Sequence, residues 1–406
     1  MAREFKDSGI EWIGQIPKEW EVNKIGNLYQ VRNEKVSDKD YPPLSVTMNG
    51  IVPQLETAAK TNNGDDRKLV CKGDFAINSR SDRRGSCGVS QYDGSVSLIN
   101  TILKPRGSMN PQYYNWLFHT ELFADEFYRW GHGIVDDLWT TRWQEMKNIS
   151  IVSPSLLEQQ KIADYLDKVC GEVDEMVALQ ETMIEELKAY KQSVIIEAVT
   201  KGLNPNVPMC DSGIDWIGEI PEHWEVMKIG FIFNNLDYLR KPISAEQRER
   251  NNPRYDYYGA SGVIDKIDHY NVEDKVLLIG EDGANLVMRN LPLVYKAEGR
   301  FWVNNHAHIL KPKKDDYDYM AHALEAANYR NYITGSAQPK LSQENLQAVK
   351  LPVPPISEQR IIASYLDIKC SEIDSLIALK QAKIEELKEY KKSVIYEYVT
   401  GKKEVM

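Results

Sequence analysis

A chain of 406 residues is long enough for two or more domains with their own cores, and 42% hydrophobic with 27% charged residues is an ordinary globular balance. A formal net charge of −10 excludes a uniformly basic nucleic-acid binder, so a polyanion would have to be met by a local cationic patch. No apolar run approaches the roughly 20 residues that cross a bilayer. MAREFKDSG lacks the features of a signal peptide, and the five cysteines show no CxxC spacing, so a cytoplasmic chain without a disulfide framework is expected.

The chain opens with DSGIEWIGQIPKEWEVNKIG at residues 7–26. Trp12, Ile13, Ile16, Pro17 and Trp20 form an apolar set with no polar constellation around it, which predicts a clamp pinning the start onto a globular body or a neighbouring helix. Short apolar runs broken by glycine follow, as in FAINSRSDRRGSCGVSQYDGSVSLINTILKP, and read as strands joined by turns. After ILKP comes an aromatic helical stretch, NPQYYNWLFHTELFADEFYRW. Glu158 to Thr200 then reads as one uninterrupted helix without an internal proline. Ser155 followed by Glu158 fits a capping box at its start, and Gly202 stands where helices stop.

The same order then returns. Residues 211–230 match residues 7–26 at 15 of 20 positions, with Trp216, Ile217, Ile220, Pro221 and Trp224 repeating the apolar set; ILKP recurs at 309–312. Glu358 to Thr400 matches Glu158 to Thr200 without a gap at 25 of 43 positions; Ser357 is its expected cap and Gly401 its expected stop. Cys170 and Cys370 occupy equivalent positions, where a small buried side chain is expected. The chain is a tandem duplication. The expected fold is α+β, with two globular modules separated by two long antiparallel coiled-coil helices and a pseudo-two-fold internal repeat. The expected boundaries are 1–153 and 207–352 for the modules, with 154–206 and 353–406 for the helices.

In the first helix Ile162, Leu166, Val169, Val173, Met176, Met183, Leu187, Tyr190 and Val194 follow steps of three and four, interrupted at Gln180. This heptad seam favours left-handed helix pairing; the second copy carries Lys369, Lys380 and Lys383 on it. About 43 residues at roughly 1.5 Å each make a rod of about 65 Å, more than one small domain can cover, so each rod needs the other. If each module sits at the start of its own helix, the second helix must run back toward the first module. A second apolar fringe, Val177, Ile184 and Ile195 with Ile377, Ile384 and Ile395, is assigned to a partner or to the sister helix.

The TGSAQPKLSQENLQAVKLPVPPISEQRIIASYLD stretch from Thr334 to Asp367, the WIGxIPxxW segment heading each half and the paired IEELKxYKxSVI helices cover the chain in order. On these the sequence resembles the specificity subunit of a type I restriction–modification system. The resemblance implies a subunit in which two target recognition domains each read one part of a split site on double-stranded DNA. The paired helices would set the spacing and hold two modification subunits, with two restriction subunits where the system has them. It also implies that chemistry belongs to those partners: adenine N6 methylation with S-adenosylmethionine, and ATP- and Mg-dependent translocation and cleavage, with no cofactor in this chain. The first half departs from the pattern in GHGIVDDLWTTRWQEMKNISIVSPSLLEQQ, with Pro154 alone where the second half has Pro354 and Pro355, and with Asp136 and Asp137 near the positions of Ala337 and Gln338.

Candidate DNA contacts are the cationic clusters of the divergent modules: Arg80, Arg83 and Arg84 in a glycine-bearing loop, and Arg129 and Arg142 flanking Trp130, Trp139 and Trp143. In the second half they are Arg248, Arg250 and Arg254, Arg289 with Asn290, and Gln338 with Lys340. Arginine can grip phosphate or the guanine edge with two hydrogen bonds, and asparagine or glutamine the adenine edge. Against catalysis stand the lack of a GxGxxG or GxxxxGK[ST] loop and the isolation of NPRY at 252–255. His306 and His308 could share a strand face but have no third ligand at a usable spacing, and Glu186 with Lys188 lies on a rod rather than in a nuclease-like strand. The competing reading is a non-catalytic scaffold whose modules bind proteins.

Overall fold

In a computed structural model of the chain, which describes residues 3–55, 64–80, 83–133, 139–244, 254–335 and 339–405, two helices dominate: Leu156–Lys201, of 46 residues, and Ile356–Val399, of 44. Gly202 and Gly401 follow their ends with φ of 72° each, the left-handed stop that glycine reaches without Cβ strain. At the first start only half of the expected capping box forms. The Glu158 N–H donates to Ser155 Oγ at 3.3 Å, but the Glu158 carboxylate accepts from Trp20 Nε1 at 2.8 Å instead of turning back to the cap. Ser357 lies inside the second helix, so it does not cap it; the Pro355 carbonyl accepts from the Glu358 and Gln359 N–H groups there.

The chain divides into two units, 1–181 with 382–406, and 182–381. The first centres on an antiparallel sheet in the order Cys87–Val89, Phe75–Asn78, Asn100–Pro105 and Tyr29–Val31. A three-stranded sheet (Gly94–Val96, Arg67–Val70, Lys35–Val36) and the hairpin Leu44–Thr47/Gly50–Pro53 complete its β structure on that side. The helices Pro111–Phe118 and Glu121–Arg129 lay Tyr113, Tyr114, Phe118 and Phe123 into a core that also takes in Ile162, Leu166, Val394 and Val399 of the long helices. Ser150–Ser153 pairs with Glu21–Lys24, so the strand leading into the first long helix is stitched to the clamp segment.

The second unit repeats the plan with a longer sheet: Phe233–Asn235, Ala307–Pro312, Val272–Gly280, Val294–Val303, Tyr255–Gly259 and Gly262–Ile267. Its helix Tyr317–Ala326 packs Tyr319, Met320 and Leu324 against Ala198, Val199, Ile362 and Leu366. Glu225–Lys228 pairs with Lys350–Val353, repeating the clamp stitch.

Both tryptophan sets act as clamps within their own units. Trp20 is fully buried with Gly401 against it, and Trp224 donates to Glu358 at 3.0 Å with Gly202 close to its ring. The helices are antiparallel, as each unit shows separately. In the first, Tyr165 meets Tyr398 with ring centroids 4.5 Å apart, and Lys391 holds both oxygens of Asp174 at 2.6 and 2.7 Å. In the second, Lys191 holds both oxygens of Asp374 at 2.7 Å, and Lys380 Nζ lies 3.4 Å from Met183 Sδ. These ion pairs are partly exposed, worth about 1 kcal/mol or less each, so they mark register more than they stabilise it.

The buried stripe follows the heptad seam at Ile162, Leu166, Val173 and Val194 and departs from it at two places. Met176 and Tyr190, expected on the seam, are exposed, as are Leu376 and Tyr390 in the second copy. Ile184, Ile195, Ile384 and Ile395 are buried, and Val177 and Ile377 are half-buried, so of the two assignments of this fringe, a partner or the chain itself, its burial favours the chain itself. Ile195 belongs to the second unit's core and Ile395 to the first's. The reason is angular: a strict seven-residue repeat drifts about 20° per heptad on a straight helix. Met176, two heptads after Ile162, has turned by about 40° and Tyr190, four heptads on, by about 80° to one side, whereas Val177, Ile184 and Ile195 stand about 40–60° to the other, the side of the buried Leu166 and Cys170.

Candidate nucleic-acid interface

In the first module the central strand Phe75–Asn78 ends where a loop must turn away from the sheet. The loop is fastened at once: the Thr141 N–H donates to the Ser79 carbonyl at 3.0 Å, and Arg80 forms an isolated bridge with Thr140, which also bridges His132. This places Arg80, Arg83 and Arg84, all exposed, beside the segment that enters the short helix Trp143–Met146. The Arg84 guanidinium lies 5.4 Å over the Tyr128 ring and pairs with Asp125. Tyr128 in turn stacks on Trp139 with centroids 5.6 Å apart and planes 27° apart. Gly131 is required here, since a Cβ would sit 2.5 Å from Trp139 Nε1. A cleft results whose lining joins Asn78, Ser79, Arg80 and Arg84 to aromatic side chains that include Phe123, Tyr128 and Trp139. Arg142 is exposed one residue beyond Thr141, on the same strand end. Arg129 is engaged elsewhere, by Glu11 at 3.0 Å and Glu126 at 3.4 Å.

The second module uses the same frame with different side chains. After Val272–Gly280 the Leu341 N–H donates to the Glu281 carbonyl at 2.9 Å, and Asp282 bridges Lys340. An acidic residue therefore stands where the first module has Arg80, and Lys340 stands where it has Thr140. Lys340 Nζ reaches Glu281 at 3.1 Å and stays partly exposed. Arg254 and Asn290 are exposed. Arg289 is corrected as a candidate. It adopts φ of 53°, and its guanidinium donates to the Glu325 and Ala327 carbonyls at 2.7 and 2.6 Å, so it caps the end of Tyr317–Ala326 with the donors a base or phosphate would need. Arg248, Arg250 and Gln338 lie outside the described residues, as do Asp136, Asp137 and Ala337.

One group of residues at this frame is absent from the sequence-level candidates. His308, in Ala307–Pro312, is buried between Asp237 Oδ2 at 2.6 Å and the Leu341 carbonyl at 2.8 Å. Burial alone would push the Asp237 carboxyl up, but hydrogen bonds from His308 and the Ile309 N–H, with the nearby charges, outweigh it and hold the carboxyl below its ordinary range. Glu281 behaves alike: burial raises it, and Lys340 and Arg240 bring it below its usual value. In the sequence His308 was weighed only as a metal ligand with His306, and HILKP against TILKP marks its difference from the first half. His306 and His308 do not form a ligand pair, since His306 lies 3.6 Å from Asp282 at the rim while His308 faces inward. Among the described residues no group of three His, Cys, Asp or Glu side chains could hold a metal ion, and no helix is long and apolar enough to cross a membrane.

Comparison with known proteins fits this duplicated frame. The putative type I restriction enzyme MjaX specificity subunit of Methanocaldococcus jannaschii is 23% identical, covering 96% of this chain and 95% of its own. The MjaVIII specificity subunit of the same organism is 22% identical over 96% and 94%. A putative type I restriction enzyme specificity subunit of Haemophilus influenzae is 33% identical over 34% of each chain. Among solved structures, a chain from a study of complex assembly and conformational transition of the type I R-M system superposes with TM-score 0.72 at 13% identity, covering 95% of this chain and 98% of that one. The HsdS subunit of Thermoanaerobacter tengcongensis superposes with TM-score 0.51 at 15% identity over 95% and 98%. The family profile described as type I restriction modification DNA specificity domain matches twice, at residues 17–189 and 221–389, and the chain therefore belongs to the type I restriction–modification DNA specificity family.

Proposed function

We propose that the chain is the non-catalytic specificity subunit of a cytoplasmic DNA-modification complex, whose two modules each read one part of a bipartite site on double-stranded DNA. The observation that carries this reading is the shared frame with unlike side chains: Arg80 and Thr140 in one module, Asp282 and Lys340 in the other, on equivalent backbone bridges. A frame that repeats while its presented groups differ suits two different half-targets. Arg80, Arg83, Arg84, Arg142 and Trp139 supply bidentate and stacking contacts in the first, and Arg254, Asn290 and Lys340 polar contacts in the second. Arg248, Arg250 and Gln338 remain assigned to DNA on sequence grounds.

The rods would hold two adenine-N6 methyltransferase subunits, and restriction subunits where the system has them. In support, Met176, Leu179 and Tyr190 are 45–57% exposed, and their counterparts Leu376, Leu379 and Tyr390 are 47–67% exposed at the same places in the repeat. Large apolar groups left in water at equivalent positions suit a partner that docks twice. S-adenosylmethionine would then belong to the methyltransferase subunits, and ATP with Mg to the restriction subunits. A gel-shift selection on random-sequence DNA, with and without the methyltransferase subunit, tests the proposal. Weak binding alone and selection of a two-part site with the partner are expected, because a chain at −10 releases few counterions through local clusters. Binding without sequence selection in either state would favour a protein-binding scaffold.

A further inference from the structure

We infer that His308 is a positioning residue that holds the second module's presented hairpin in place through its proton, whereas the equivalent position of the first module carries Thr101. The inference rests on the proposed reading of that segment as DNA-facing. The hairpin is Ile333–Thr334 with Lys340–Leu341. His308 is 1% exposed, and each ring nitrogen faces an acceptor, Asp237 Oδ2 on one side and the Leu341 carbonyl on the other. Asp237 Oδ1 already accepts from the Ile309 N–H at 2.8 Å, and Oδ2 lies 3.3 Å from Arg240, which keeps the carboxyl ionised. Two acceptors require two donors, and imidazole has two N–H groups only as the cation.

The cation heads a chain of alternating charge that the Leu341 carbonyl closes into a ring. Arg240 joins Asp237 to Glu281 at 3.0 Å, Glu281 joins Lys340 at 3.1 Å, and the Leu341 carbonyl returns to His308. The charged groups around the ring come from each element packed on it: Asp237 and Arg240 after the first strand, Glu281 at the end of the central strand, and Lys340 on the hairpin, with His306 and Asp282 as a further pair at the rim. When His308 loses its proton, the remaining N–H stays with the carboxylate, the stronger acceptor, and the bare nitrogen faces the Leu341 oxygen. The contact becomes repulsive and leaves a buried carbonyl without its donor, so the hairpin loosens.

The first module lacks this latch. Thr101 precedes ILKP where His308 does, Ser79 takes the place of Glu281, and their hydroxyls lie 2.9 Å apart, while the segment equivalent to the hairpin carries an ion pair of its own, His132 with Glu145 at 3.1 Å.

The test is hydrogen exchange on the full-length chain in complex with its methyltransferase subunit, comparing the hairpin strands Ile333–Thr334 and Lys340–Leu341 with the sheet strand Val272–Gly280 at about pH 6 and about pH 9. After correction for intrinsic rates, protection of the hairpin strands should fall by about tenfold or more at the higher pH, the scale of one charged hydrogen bond, while the sheet strand stays level. His308→Gln, which cannot donate to both acceptors, should show the loosened hairpin at both values. Exchange in 272–280 separates this effect from unfolding of the sheet, and the wild-type pH comparison needs no variant. Unchanged protection across pH in the wild type, or loosening of both segments together, overturns the inference. In parallel, base discrimination in the half-site read by the second module should fall about tenfold at the higher pH, with the other half unaffected. If the hairpin loosens as described but no base selection exists at either pH, the DNA reading fails and the latch stands.

Discussion

Replacing Ile184 and Ile384 together by alanine should destabilise the isolated chain, whereas replacing Tyr190 and Tyr390 should leave it nearly unchanged. The isoleucines are each 6% exposed, and truncating a buried isoleucine to alanine costs about 2–5 kcal/mol. A two-helix seam can partly collapse around the lost atoms, which places the cost near about 2–3 kcal/mol per site. For units of this size that lowers the melting midpoint by about 4–12 °C. The tyrosines are 57% and 51% exposed, so their truncation should stay within about 0.5 kcal/mol. Thermal melts of the purified variants give the comparison, and light scattering with the methyltransferase subunit gives the counterpart: the tyrosine pair should weaken assembly while the isolated chain melts normally. Equal destabilisation by both pairs would show that the seven-residue seam, not the 3.6-residue stripe, joins the rods.

Neutralising Arg80 and Arg84 together should relax base choice in one half-site only and reduce the slope of log affinity against log salt by up to about 2, measured by titrations at several salt concentrations. Asp237→Asn should flatten the acid limb of the second module's stability. Because this carboxyl is held low in the fold, its contribution is present above the unfolded carboxylate range and lost as pH falls through the folded value, and acid melts of wild type and variant read the difference. Matched insertions of four residues after Glu181 and after Gln381 should lengthen the non-specific spacer by one or two base pairs without changing the flanking bases, since one turn adds about 6 Å and a base pair about 3.4 Å. Sequencing of methylated sites gives the spacer directly. An insertion beside Lys201 would be a poorer ruler, because Ala198 and Val199 are locked in the second unit's core.

The duplication, the long helices, the tryptophan clamps and the α+β modules were legible because each depends on local pattern. Proline-free amphipathic runs, glycine stops and repeated WIGxIPxxW segments act over a few turns or strands. The buried face of the rods was less legible, since Met176 and Val177 are both apolar neighbours and only the accumulated angle of a straight helix decides between them. Arg289 looked like any loop arginine; its left-handed backbone and its place over a helix end are set by residues 36 and 38 positions away. Asp237 and His308 stand 71 residues apart, and nothing in the local pattern of either announces the other. Arg80 was legible as a cation, but its counterpart in the second half is Asp282, and that equivalence exists only in the strand-end bridges.

Exchange of residues 27–153 for the corresponding segment of another family member, followed by sequencing of the methylated sites in cells that also express the methyltransferase subunit, tests the central claim most directly. The segment holds the first module's sheet and arginine loop while leaving both rods and the second module's frame in place. Independent modules on a common spacer predict that one part of the bipartite site changes while the other part and the spacer length remain. A site whose two parts change together, or a single undivided site, would contradict the assignment of one half-target to each module.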